Sequence, residues 1–159
     1  MKPYTLVFLL KRSGSGVSEV CLAMKKRGFG AGRWNGVGGK VEVGEGVEDA
    51  ARREAHEEIG VVLEYLEKVA ELTFIFPSNQ GSNQYVHVYT CQEWNGEPSE
   101  SEEMRPAWYA VDTIPFAEMW PDDIFWLPQV LDGKRVRGSF TFGEGDVILE
   151  NVVEVVSDL

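Results

Sequence analysis

Apolar and β-branched residues gather in short runs along most of this chain, and glycine, proline, asparagine and serine separate the runs. Runs of this length between turn-forming residues are typical of β-strands. We predict strands at Tyr4–Leu10, Glu19–Lys26, Lys68–Phe76, Gln84–Trp94 and Arg105–Val111, with a terminal hairpin within residues 138–156. Turns are expected between the first two strands, at Asn95-Gly96, and at residues 143–146.

Two stretches follow a helical pattern instead. From Val47 to Ile59 alanines recur on one side, and Gly60 follows as a typical helix stop signal. A shorter helix is predicted within residues 119–131, beginning near Asp122 or Asp123. Glycine-rich residues 27–38 are expected to form a loop or irregular strand. The order of elements predicts an α/β fold, with a mixed sheet between helical layers and one domain over residues 1–159.

The charge balance narrows the function. The 159 residues include 15 basic and 26 acidic side chains, which give a formal net charge of −11. Nucleic-acid polymers and anionic membranes are bound through basic surfaces, so neither is an expected partner. If the ligand is anionic, a divalent cation is the obvious means of neutralising the site.

The compartment is indicated by the N-terminus and the cysteines. The first apolar run is too short to span a bilayer and lacks a small-residue cleavage site. Cys21 and Cys91 lie in apolar, strand-like surroundings and are interpreted as reduced core residues. A cytoplasmic protein is therefore predicted.

The helix from Val47 carries the clearest candidate chemistry. Glu54, Glu57 and Glu58 share one helical face at i, i+3 and i+4 spacing. Clustered carboxylates repel one another unless a hard cation such as Mg²⁺ binds them. Arg53 is expected to point elsewhere and to pair with Glu45. An ordinary solvated acidic helix is the alternative interpretation for the three glutamates alone.

The longer pattern around these glutamates resembles the signature of the Nudix family. Gly39 is followed after five residues by Glu45, and seven residues later by the sequence REAHEEIGV of residues 53–61. Every charged and glycine position of the signature matches. Ala55 is the one departure, because the family usually has Leu, Ile or Val there.

The resemblance implies a Nudix-type α/β/α sandwich with a catalytic loop-helix-loop. It also implies a pyrophosphohydrolase that uses Mg²⁺, with Mn²⁺ as a possible substitute, on a nucleoside diphosphate linked to another group. Glu54, Glu57 and Glu58 would be metal ligands together with the Gly38 carbonyl. Glu45 and Arg53 would form an orienting ion pair.

Segments that flank the signature or overlap its start resemble the Nudix branch of animals that hydrolyses oxidised purine nucleoside triphosphates. They are residues 4–7, 24–41, 100–106 and 114–126. This likeness implies a monomer that converts 8-oxo-dGTP or 2-hydroxy-dATP to monophosphate and pyrophosphate, and so removes damaged nucleotides from the pool. It assigns the base to Asn35, Asp122 and Asp123, stacking to Trp120, and the pocket lining to Thr5, Phe29, Phe74 and Trp126. Glu103 would lie near the metals.

Each of these residues also has an ordinary structural interpretation. Asp122 and Asp123 could cap a helix, Trp120 and Trp126 could be plain core, and Asn35 could be a turn residue. Lys25, in the basic run of residues 25–27, could end a solvated strand or meet the triphosphate.

Several alternatives remain open at this level. Residues 77–85 depart from the animal branch, where a methionine helps to close over the base, and Gln84 is the nearest equivalent. Other nucleoside polyphosphates, such as O6-methyl-dGTP or dinucleoside polyphosphates, are therefore alternative substrates. The general base could be Glu54, Glu58 or Glu103. We hypothesise that proton movement between Asp122 and Asp123 lets one pocket accept both oxidised guanine and oxidised adenine.

Overall fold

A computed structural model describes all residues from 1 to 159 and contains eight strands and two α-helices. The strands are β1 (Lys2–Ser13), β2 (Gly16–Lys25), β3 (Trp34–Asn35), β4 (Val62–Ile75), β5 (Gln84–Asn95), β6 (Met104–Ala110), β7 (Arg135–Phe142) and β8 (Ile148–Val156). The helices are α1 (Val47–Ile59) and α2 (Asp123–Leu131). Neither helix is long and apolar enough to cross a membrane.

The strands form one mixed sheet in the order β3-β2-β1-β5-β4-β7-β8. The pairs β1–β5 and β4–β7 are parallel, while the remaining pairs are antiparallel. Strand β6 pairs with β2 on the edge opposite β1, because Glu19 and Val20 have partners in both strands. The mixed sheet predicted from the sequence is confirmed.

Alternation along β1 separates two hydrophobic cores. Phe8 and Leu10 pack on one face with the side chains of α2, whereas Val7 and Leu9 pack on the other face with those of α1. A strand directs successive side chains to opposite faces, so every second residue belongs to the same layer. The sheet therefore lies between the two helices, as the sequence predicted.

Helix α1 has the predicted bounds. Its local sequence explains why it packs closely against the sheet and why it ends at Ile59. Ala51, Ala55 and Ile59 are fully buried against the sheet, where small side chains allow the helix to lie close to the strands. Gly60 ends the helix in the left-handed conformation at φ 74°, and its N–H donates to the His56 carbonyl. Ala55, the departure from the family signature, is therefore a core residue at a close contact.

The largest departure from the predicted strand bounds is in β4. Strand β4 begins at Val62 rather than Lys68, because Val62 and Leu63 pair with Asn95 and Trp94 of β5. Register shifts interrupt this part of the ladder, so its sequence lacks a clean strand alternation. Residues 27–38 include the two-residue strand β3, in keeping with the predicted irregular strand.

The cap of α1 generates a stability prediction. Gly60→Ala places a Cβ at positive φ, which costs about 1–2 kcal/mol of unfolding free energy. Gly16→Ala is the matched control, because Gly16 has an ordinary φ and open space where a Cβ would lie. Urea unfolding of both variants measures the difference. Equal unfolding free energies for the two variants would contradict this role of Gly60.

Candidate active site

The segment that precedes α1 lies against β1 through backbone hydrogen bonds. The N–H groups of Thr5, Val7 and Val41 donate to the carbonyls of Gly39, Val37 and Pro3 at 2.7–3.0 Å. At Gly38 there is no space for a side chain, since a Cβ would overlap the Thr5 carbonyl. The glycine therefore allows the loop to approach the strand closely enough for these bonds to form.

The same loop binds the carboxylate of Glu58. The Gly38 N–H donates to Glu58 Oε1 at 2.8 Å, and the glutamate is only 4% exposed. Burial raises the pKa of Glu58 to about 8, although the Gly38 hydrogen bond opposes the shift. The charges of Glu54 and Glu103 raise this pKa further, and that of Lys25 lowers it. Glu58 is thus a buried acid held at the junction of loop and helix.

Arg53 connects the loop to the acidic stripe of α1. Its Nε and Nη2 donate to both carboxylate oxygens of Glu45 at 2.8 and 2.9 Å, and its Nη1 donates to Glu54 Oε1 at 2.9 Å. This hydrogen bonding lowers the pKa of Glu45 to about 2 and raises the pKa of Arg53. The expected pairing with Glu45 is present.

The expectation that Arg53 points away from the acidic stripe is wrong. Its Nη1 also lies 3.4 Å from the exposed Glu57 carboxylate, in addition to the contact with Glu54. An arginine side chain is long enough to reach along its own helix, so a different position on the helical face does not keep the guanidinium away.

The carboxylates have the chemistry of a site for a hard divalent cation. Burial raises the pKa of Glu54 as well as that of Glu58, and the charge of Glu103 contributes to both shifts. Carboxylates of this kind are stabilised in their ionised form by a bound cation that accepts oxygen ligands. No three of these side chains converge on one point in the structure, where Arg53 and Gly38 hold them separately.

A cavity of about 180 Å³ lies beside this loop. Its lining includes all nine residues that the sequence assigned to substrate, together with Gly38: Thr5, Lys25, Phe29, Asn35, Phe74, Trp120, Asp122, Asp123 and Trp126. Gly38 therefore lies between the cavity and Glu58. The acidic stripe and the cavity are neighbours, whereas the functional roles of these residues remain predictions.

Aromatic rings form one wall of the cavity. Phe29 is stacked on Trp120 with centroids 5.2 Å apart, and Phe76 is stacked on Phe142 at the same distance. Trp120 also makes edge contacts with Phe76 and Phe142. Phe29 is half exposed, so part of this wall lies at the mouth of the cavity.

Two adjacent carboxyl groups lie at the floor of the cavity. Asp122 and Asp123 are each 2% exposed, and Trp126 Nε1 donates to Asp122 Oδ2 at 2.8 Å. Asp123 Oδ2 is buried without any hydrogen-bond partner. Burial raises the pKa of both acids, and the neighbouring charge of Asp122 raises that of Asp123 further.

The structural alternatives for these residues have definite outcomes. Asp122 occupies the position before α2, but its side chain makes no capping hydrogen bond. Trp126 is fully buried core, donates to Asp122 and also lines the cavity, so its core position does not exclude the predicted role. Asn35 lies in β3, and its Oδ1 accepts from the Gly36 N–H at 2.8 Å, which leaves the amide NH₂ without an intramolecular acceptor.

Several lining residues were not singled out from the sequence. Those with large side chains are Tyr4, Leu6, Arg33, Phe76, Val86, Met104 and Phe142. Phe76 lies two residues from Phe74 and on the same side, so strand alternation could have identified it. Arg33 and Phe142 carry no such signal, because they reach the cavity only through tertiary packing. Gln84 lines the cavity at the place where the sequence departs from the animal branch.

Known proteins resemble this chain over most of its length. A family model described as the NUDIX domain matches residues 2–130. A protein from Danio rerio named oxidized purine nucleoside triphosphate hydrolase is 49% identical over 141 residues, which are 89% of this chain and 90% of that protein. A protein of the same name from Mus musculus is 48% identical over 146 residues, with 92% and 90% covered.

Solved structures resemble the fold as well. The crystal structure of a mutator MutT protein from Bacillus halodurans superposes with a TM-score of 0.83 and covers 97% of this chain and 98% of that chain. The two sequences are 22% identical, so the likeness concerns the fold alone. It agrees with the layered α/β architecture that the sequence predicted.

The buried acid pair generates a prediction about stability and pH. A carboxyl group whose pKa is raised in the folded state stabilises the fold below its ordinary pKa near 4, and this contribution is lost as the pH rises through the raised value. Asp123→Asn removes a carboxyl group whose pKa is raised and whose Oδ2 has no hydrogen-bond partner. The variant should therefore gain unfolding free energy relative to the native protein as the pH rises from about 4 to 8.

Denaturant unfolding at several pH values measures this gain. For each pH unit over which Asp123 is ionised only in the unfolded chain, the difference in unfolding free energy between the variant and the native protein should grow by about 1.4 kcal/mol. Parallel curves for Asp123→Asn and the native protein would show that Asp123 titrates normally.

Proposed function

Because this chain belongs to the Nudix family, we propose that it hydrolyses oxidised purine nucleoside triphosphates to monophosphate and pyrophosphate. The observation that carries the proposal is the buried, incompletely paired acid couple Asp122 and Asp123 at the floor of a cavity beside the acidic helix. The relatives named as oxidized purine nucleoside triphosphate hydrolases, in Danio rerio and Mus musculus, support the same substrate class.

The acid couple suits the edge of a modified purine. A protonated carboxyl donates a hydrogen bond and an ionised one accepts, so two neighbouring acids with raised pKa values offer both functions. Asp123 Oδ2 is free to bond to a base, while Asp122 is already oriented by Trp126. Oxidised guanine and oxidised adenine present different donors and acceptors, and redistribution of one proton would match either.

The remaining walls suit a flat ring and a charged tail. Trp120 and Phe29 supply aromatic area for the base, and Asn35 supplies an uncommitted amide. Lys25 lines the cavity and acts electrostatically on Glu58, so it lies on the side from which the triphosphate would extend. The base and the phosphates would thus occupy adjoining parts of one site.

Glu54, Glu57, Glu58 and Glu103, with the Gly38 carbonyl, would hold the divalent cation, for which we propose Mg²⁺. When bound, the cation polarises phosphoryl oxygens and neutralises charge that develops on the leaving group. Arg53 keeps Glu54 and the loop residue Glu45 in place through three hydrogen bonds. Glu54, Glu58 and Glu103 remain the candidates for the residue that accepts a proton from the attacking water.

A second candidate function has its own observation. Gln84 pairs with Phe74 across β4 and β5 and is one of the polar residues that line the cavity. A side-chain amide both donates and accepts hydrogen bonds, so it can pair with base edges other than those of oxidised purines, and other nucleoside polyphosphates are the alternative substrate class. We propose that the protein acts on free nucleotides as a monomer in the cytoplasm, and the free buried cysteines Cys21 and Cys91 support a reducing compartment.

Steady-state kinetics with Mg²⁺ test the substrate class. We expect kcat/KM for 8-oxo-dGTP and 2-hydroxy-dATP to exceed that for dGTP by at least about tenfold, or roughly 1.4 kcal/mol of transition-state stabilisation. O6-methyl-dGTP is included as the alternative modified purine. Pyrophosphate release gives the rate in each case. Equal rates for dGTP and the oxidised nucleotides would contradict the proposal while leaving the Nudix chemistry intact.

Arg53 gives a test of the loop-to-helix connection. Arg53→Lys keeps the positive charge but loses the paired donors that bind Glu45, so kcat should fall by about 10- to 100-fold. The neighbouring Arg52→Lys is the matched control, because Arg52 forms its one ion pair with Glu48, at 3.5 Å, and the variant should retain activity within about twofold. A similar kcat for both variants would exclude the proposed role of Arg53.

A further inference from the structure

An ion pair connects two distant segments at the wall of the cavity. Arg33 Nη1 lies 2.9 Å from Asp146 Oδ2, and the residues are 113 positions apart. Arg33 belongs to the glycine-rich segment that joins β2 to β3, and Asp146 belongs to the turn between β7 and β8. Both side chains are partly shielded from solvent, so the pair is less screened than an ordinary surface ion pair.

The paired guanidinium also lies on an aromatic ring. Arg33 Cζ is 4.1 Å from the centroid of Trp120, within the range of a cation–π interaction. Trp120 is stacked on Phe29, from the same glycine-rich segment as Arg33. The orientation of the indole therefore depends on side chains of that segment, and one of them is held by Asp146.

The turn that provides Asp146 has an unusual backbone. Asp146 has φ 60° and is the only residue other than glycine with a positive φ. Glycine adopts this conformation without steric cost, whereas aspartate adopts it at some cost, although more readily than most residues do. The bond from the Asp146 N–H to the Gly143 carbonyl closes the turn, and the side chain bonds to Arg33. The side chain thus has a function that glycine cannot supply.

We propose that the Arg33–Asp146 ion pair is a clasp that holds Trp120 in orientation for the base of the substrate. Arg33 and Asp146 are positioning residues, and the turn between β7 and β8 becomes part of the base site. The inference rests on the proposed function, because it assumes that a purine occupies the cavity beside Trp120.

The clasp should affect binding of the base and leave the chemical step unchanged. Stacking on a part of the substrate that does not react is equal in the ground state and the transition state, so its loss raises KM without lowering kcat. If the ion pair served only folding, its loss would lower both the thermal stability and the amount of active enzyme. The two roles therefore have different signatures.

The experiment compares two substitutions of Asp146. Asp146→Asn keeps the shape and tolerates positive φ but removes the charge, and Asp146→Gly also relieves the backbone. We expect both variants to raise KM for 8-oxo-dGTP roughly threefold to tenfold, with kcat within about twofold. The Tm of Asp146→Gly should equal or exceed that of the native protein.

Two comparisons isolate the ion pair. Arg33→Gln combined with Asp146→Asn should raise KM no more than Arg33→Gln alone, because both changes remove the same contact. Glu67→Gln removes the half-exposed partner of Arg135 outside the cavity lining, and should leave KM unchanged. An unchanged KM in both Asp146 variants, or additive effects in the double variant, would overturn the proposal.

Product binding separates this test from that of the substrate class. Calorimetric titration with 8-oxo-dGMP reports contacts to the base without turnover, and Kd should rise in the Asp146 variants by the same factor as KM. If the native protein hydrolyses another nucleotide better, the variants are compared on that nucleotide and its monophosphate. The predicted changes in KM and Kd then still test whether the Arg33–Asp146 ion pair positions Trp120. The proposed function is judged separately, because only the substrate profile of the native protein can contradict it.

Discussion

The close approach of residues 36–39 to β1 is the constraint on which the rest of the site depends. A Cβ at Gly36 would lie 2.7 Å from the Val7 carbonyl oxygen, and one at Gly38 would overlap that of Thr5. Because these positions are glycine, the loop bonds to β1 as an additional short strand would. Its Gly38 N–H then reaches Glu58 on one side, while Asn35 and Thr5 line the cavity on the other.

Burial of acids is the second feature that unites the site. Glu58 at the helix and the pair Asp122 and Asp123 at the cavity floor are each no more than 4% exposed, and burial raises the pKa of all three. Such groups reduce the stability of the folded chain near neutral pH. Conversely, each gains stabilisation from a ligand that supplies a cation or a hydrogen-bond donor, so the groups that weaken the fold are those that favour binding.

Local sequence patterns predicted the elements that depend on local rules. The bounds of α1 follow from its alanines and Gly60, and the residues of the family signature follow from spacing. Strand β4 was predicted too short because cross-strand pairing with β5 extends it beyond its own apolar pattern. The contact of Arg53 with Glu54 and Glu57 was missed because helical position does not determine where a long side chain ends. Arg33 and Asp146 meet only after the whole sheet has formed, and no property of either segment indicates the other.

Measuring the protonation states of Asp122 and Asp123 while a base is bound tests most directly how this site recognises its substrate. Carboxyl-carbon NMR of the protein saturated with 8-oxo-dGMP, with Asp122→Asn and Asp123→Asn used for assignment, reports each group separately. Recognition by a shared proton predicts that one carboxyl is protonated and its neighbour ionised near neutral pH. Two ionised carboxylates under the same conditions in the complex would contradict it.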